Sequence, residues 1–162
     1  MPQGYQTPVN QILADIEGAV FHEYEIGPNA TVASCIPGAM MKIDTAAAVN
    51  YQIVECGVEA VDPLGVLDVA CDQLKPTAYA VGDIVRLIER GKCYVLLESG
   101  SAAVAPGDPL VCAALGRMIL QAVGAIGTQG APPAYALEIS DPALAEKYCL
   151  AFVTGEREPH HA

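Results

Sequence analysis

Ala80-Val-Gly82-Asp83-Ile-Val-Arg-Leu-Ile-Glu-Arg-Gly91-Lys92-Cys-Tyr-Val-Leu96 and Ala105-Pro-Gly107-Asp108-Pro-Leu-Val-Cys-Ala-Ala-Leu-Gly116-Arg117-Met-Ile-Leu120 share one pattern. In both, Gly-Asp stands nine residues before a glycine followed by a basic residue, and the glycines bracket an apolar segment. Glycine and aspartate are turn residues, one through its freedom at positive φ and the other through its side-chain acceptor. The pattern predicts a turn at Gly-Asp, a strand, a tight turn at Gly-basic and a returning strand. Two such hairpins in succession form a meander that wraps into a small barrel.

Working outward, the remaining prolines and glycines punctuate short apolar runs, as in all-β sandwiches and barrels. Strands are expected at 32–36, 40–43, 52–56, 66–70, 84–89, 93–97, 110–113, 118–123, 134–139 and 148–153. The expected fold is all-β, a small β-barrel or β-tulip built from hairpins. At most one helical turn is expected, after Asp141-Pro142, where Asp caps and Pro suits the first helical position. Residues 11–21 read equally as an amphipathic turn or a strand. Residues 1–30 are read as an N-terminal arm and lead-in segment, 31–155 as the barrel domain and 156–162 as a polar tail. Within the arm, Tyr5, Pro8 and Val9 offer side chains that a partner groove can bury.

Eight Lys and Arg against 19 Asp and Glu leave a formal charge of −11, while 52% of residues are apolar and 17% charged. Disorder needs the opposite balance. A nucleic-acid partner is disfavoured because its binding rests on Lys and Arg at phosphates, and an anionic membrane surface for the same reason. The first basic residue is Lys42, so the chain has neither the basic start of a secretory signal nor the arginines of a transit peptide. Its most apolar stretch, 101–127, is broken by Pro106, Asp108, Pro109 and Arg117, which argues against a membrane span. Cys35, Cys56, Cys71, Cys93, Cys112 and Cys149 form neither Cys-x-x-Cys nor zinc spacing. They are expected to be reduced, buried and apolar in behaviour.

The sequence offers little for catalysis. If His22-Glu23-Tyr24-Glu25 is a strand, His22 and Tyr24 share one face and the two glutamates the other, so they do not converge on a metal. A polar edge strand is the simpler reading. None of Ser34, Ser99, Ser101 and Ser140 lies in Gly-x-Ser-x-Gly. Glycines 124, 127 and 130 match no nucleotide fingerprint. Asp83 and Asp108 read as turn residues, although carboxylate pairs also do acid–base work. No enzyme, cofactor or metal is expected. The alternative is a barrel enzyme or small-ligand binder with a pocket walled by Tyr and Met.

Several segments together resemble the capsid cement, or decoration, proteins of tailed viruses. They are Pro37-Gly-Ala-Met-Met-Lys-Ile-Asp44, Val54-Glu-Cys-Gly57 and Asp62-Pro63-Leu64-Gly65-Val66-Leu-Asp-Val69. Tyr79-Ala-Val-Gly-Asp83, Gly107-Asp108-Pro-Leu110, Gly116-Arg117, Tyr135-Ala-Leu-Glu138 and Cys149-Leu-Ala-Phe-Val153 continue the pattern. The cysteine count and the His22 segment depart from it. The resemblance implies a barrel or tulip domain that trimerises at local three-fold positions on the outside of an icosahedral shell. It implies a major capsid protein and the chain itself as partners, and reinforcement against the pressure of packaged DNA. It also implies a place on the virion after synthesis in the host cytoplasm.

Overall fold

One long strand organises the molecule. The structure, a computed structural model, describes residues 19–49, 51–58, 62–68, 78–121 and 132–154. Nine strands run through these residues: β1 (Val20–Ile26), β2 (Met40–Ile43), β3 (Gln52–Glu55), β4 (Gly65–Leu67), β5 (Ile84–Leu97), β6 (Pro109–Cys112), β7 (Met118–Leu120), β8 (Ala134–Ala136) and β9 (Lys147–Val153). The 14-residue β5 belongs to two closed circuits. Its first half pairs antiparallel with β1 and β4, and β3 and β2 complete the ring β1–β3–β2–β4–β5. Its second half pairs antiparallel with β9 and, at Leu97↔Met118, parallel with β7. There β6 and β8 complete the ring β5–β7–β6–β8–β9. The expected all-β barrel is therefore two five-stranded barrels that share a strand.

The two rings have the same topology and the same register. In each, the first strand runs parallel to the third and antiparallel to the fifth. Ile43↔Ile53 in the first corresponds to Cys112↔Met118 in the second. Met41↔Gly65 corresponds to Leu110↔Ala134. Bonds outside the ladders match as well. Gly38 N donates to Leu67 O (2.9 Å) where Gly107 N donates to Ala136 O (2.8 Å). Cys56 N to Met40 O corresponds to Gln121 N to Pro109 O, both 2.9 Å.

The repeat read from sequence is half right. Gly82 and Gly107 adopt φ of 90° and 91°. Asp83 and Asp108 each accept from the backbone N–H three residues earlier, Ala80 and Ala105, at 2.8 Å. The second hairpin also exists, as β6 and β7 around a short 3₁₀ turn, Ala114–Gly116. The first does not. Gly91-Lys92 lies inside β5, where Gly91 takes φ 126° and the strand runs on into the second barrel. A strand was also expected over 32–36, but Val32–Ser34 is a 3₁₀ turn. Asp141 caps no helical turn: its Oδ1 accepts from Ala143 N (3.0 Å) in a bend. The His22 strand is no edge either, since β1 pairs with both β3 and β5.

The first barrel is filled by Ile26, Met41, Ile53, Leu67, Val85 and Leu87. The second holds mostly smaller groups, among them Cys93, Cys112, Cys149, Ala134, Ala136 and Ala151. The five described cysteines are free and buried, while Cys71 lies outside the described residues. Burial pushes the Cys35 thiol up to about 12 and that of Cys149 to about 11, with nearby Glu55 and Glu138 adding to the rise. A side-chain hydrogen bond with Cys112, then burial, raises Cys56.

A thiol that ionises near 9.0 when unfolded but higher when folded binds more protons in the folded state between those values. Its stabilisation is complete below pH 9 and is lost as pH rises toward 11–12. Under reducing conditions the melting temperature is therefore expected to hold between pH 7 and about 8.5 and to fall steeply above about 9. A flat profile to pH 11 would contradict this burial pattern.

Candidate interaction surface

The arm residues singled out from sequence, Tyr5, Pro8 and Val9, lie outside the described residues. Three other features bring functional side chains together.

The first is at the first barrel. Alternation along β1 puts His22 and Tyr24 on one face, as read from sequence. There they meet Glu89 of β5. His22 Nδ1 lies 2.6 Å from Glu89 Oε2, and the Tyr24 hydroxyl donates to Oε1. Both carboxylate oxygens are thus engaged across the β1–β5 ladder, which makes the cluster a clamp between strands. Sequence reading missed Glu89 because it lies 67 positions from His22. Among the described residues, no group of three or more His, Cys, Asp or Glu is arranged to hold a metal ion.

The second is the seam between the barrels. The outward side chains Met40, Val66 and Ile88 of the first barrel, with Phe21 beside them, are buried against the second barrel's core. Polar bonds border this contact. Leu96 N donates to Gly38 O (3.0 Å), Tyr148 Oη to Pro37 O (2.8 Å) and Gly116 N to Cys56 O (2.8 Å). Buried Arg117 reaches Ser34 O (3.4 Å) as well as Glu146 Oε1 and Leu115 O (each 2.8 Å). Burial pushes the Tyr148 phenol up to about 12, which keeps it a donor.

The third is an exposed apolar face on the second barrel. Along β8 and its extension, Ala134 and Ala136 point inward, while Tyr135, Leu137 and Ile139 point out and are 37%, 38% and 78% exposed. Their neighbours across the ladder, Phe152 and Leu150, are only half-buried. An apolar stripe of this kind marks a contact surface. Among the described residues, the corresponding row of the first barrel, Met40, Val66 and Ile88, is covered by the second barrel.

No protein-family profile matches the chain, and no curated protein matches it. Among solved structures, the fold is similar to that of the head fiber gp8.5 N base in bacteriophage phi29. The TM-score is 0.50 at 11% identity, over 88% of this chain and 99% of that one. At that identity the likeness is one of fold.

Proposed function

We propose that this chain is a structural protein of a tailed-virus head, bound as a decoration protein to the outer surface of the shell. The observation that carries the reading is the likeness of nearly the whole chain to a phage head fiber base. It agrees with the sequence resemblance to cement proteins, and the exposed Tyr135–Ile139 face supplies a surface for assembly. On this reading the chain acts as a trimer at local three-fold positions. Contacts repeated over the shell add up through multivalency and hold capsomers against internal DNA pressure. The work is mechanical and involves no reaction, and the partner is the major capsid protein.

The test is to incubate the purified protein with undecorated shells and sediment them. Saturable co-sedimentation is expected, together with a higher temperature of DNA release. Deleting residues 2–10 is expected to lower occupancy and leave the protein's own melt unchanged, because the arm is read as a partner contact. Failure of the full chain to co-sediment would overturn the reading.

A further inference from the structure

Four cysteines, Cys56, Cys93, Cys112 and Cys149, lie in the apolar cluster that fills the second barrel and the seam. Their thiols are not equivalent. Cys149 donates to the carbonyls of Leu150 (3.4 Å) and Glu138 (3.9 Å). Cys56 and Cys112 instead meet each other and share a side-chain hydrogen bond.

The backbone explains the meeting. Cys56 follows the last residue of β3 and belongs to the first barrel, whereas Cys112 ends β6 and belongs to the second. Cys56 N donates to Met40 O (2.9 Å), which holds it beside the seam. Its carbonyl accepts from Gly116 N (2.8 Å), the last residue of the 3₁₀ turn between β6 and β7. Cys112 pairs with Met118 at the base of that same turn. The turn and the thiol below it therefore reach the first barrel together, and both cysteines are buried. Two thiols in hydrogen-bond contact need only small side-chain rotations to reach the roughly 2.05 Å of a disulfide.

We infer that Cys56 and Cys112 are a latent disulfide, which closes across the seam when the protein meets a small-molecule disulfide such as oxidised glutathione and locks the two barrels together. One cysteine, as its thiolate, attacks the oxidant's S–S bond, forming a mixed disulfide and releasing one small thiol. The other then attacks the protein sulfur of that mixed disulfide and releases the second. The protein loses two S–H bonds and gains one S–S bond; both electrons and both protons end on the two released thiols. Burial and the shared hydrogen bond keep Cys56 protonated, so the exchange waits on openings of the seam. In a reducing medium the pair stays open, in agreement with the reduced thiols expected from sequence. The closed loop runs about 55 residues through β4, β5 and β6, so closure removes much freedom from the unfolded chain. The staple does not rest on the head-protein reading, because it is measured on the purified chain without shells.

The test incubates the folded full-length protein with oxidised glutathione at mildly alkaline pH until its mass no longer changes. Remaining thiols are then blocked with iodoacetamide and the peptides mapped by mass spectrometry. A Cys56–Cys112 linked peptide is expected as the main product, with the melting temperature raised by roughly 5–10 °C and restored by dithiothreitol. Cys112→Ala should abolish the oxidation-dependent rise and Cys93→Ala should keep it, each variant being compared with its own reduced form. Should Cys112→Ala fail to fold, the peptide map of the unaltered chain still decides. Glutathione adducts or other pairings without the Cys56–Cys112 link would overturn the inference. So would a link that leaves the melt unchanged or lowers it.

Discussion

Arg86→Leu is expected to destabilise the protein by about 2–3 kcal/mol, read as a lower urea midpoint with the slope unchanged. Asp68 has a side chain only 1% exposed, and Arg86 donates to its Oδ2 from Nε at 2.7 Å and also from Nη2. The guanidinium lies 4.7 Å from the Phe21 ring centroid, so its loss also removes a cation–π contact. Breaking a buried pair on one side costs about 3–5 kcal/mol, and the 41% exposure of Arg86 places this one lower. The second barrel supplies the control. Leu137 and Leu150 occupy the positions of Asp68 and Arg86, with Leu137 N donating to Leu150 O where Asp68 N donates to Arg86 O. The double variant Asp68→Leu with Arg86→Leu is therefore expected to recover most of the loss. A double variant as unstable as the single one would show that the charges themselves are required.

Gly116→Val is expected to cost about 3 kcal/mol and to lower the melting temperature by roughly 10 °C. Gly116 has φ 72°, where a β-branched residue is strained, and an added Cβ would lie 2.8 Å from Met40 O across the seam. The same residue's N–H bonds Cys56 O, so relief by backbone movement would break a bond between the barrels. Gly57→Ala is the matched control, because nothing lies within 4 Å of its added Cβ. It should leave the melt within about 2 °C, since a surface change of this kind falls within about ±0.5 kcal/mol.

Local chemistry was legible in the sequence, and long-range closure was not. The Gly-Asp turns and the apolar segments 40–43, 110–113 and 148–153 follow from turn residues and periodicity within a few positions. Gly91 misled because glycine before lysine reads as a turn, yet only pairing with β1, β4 and β9 decides that the strand continues through it. The duplication left little trace in residue identity. Met40 faces Pro109 as its counterpart, Ile88 faces Phe152, and Asp68 faces Leu137; what persists is which atoms bond, and that is invisible until the strands are placed. The exposed face was hidden by its own pattern. Both faces of 134–137 are apolar, so alternation reports a strand but not its outside. In the structure Ala134 and Ala136 point inward, and Tyr135, Leu137 and Ile139 lie at the surface.

The shared strand also governs the order in which the molecule is made. As the chain leaves the ribosome, the first barrel lacks its closing strand until Ile84–Arg90 has emerged, and it then completes with sequence already synthesised. The other half of the same strand is left with Cys93, Val95 and Leu97 bare. Its antiparallel partner, Lys147–Val153, is the last of the described strands to appear. Pairing over that separation is slow, and an open edge is sticky while it waits. The nascent molecule therefore passes through an interval in which a finished barrel carries an unfinished one. That interval is the stretch of its life when a chaperone has most to hold.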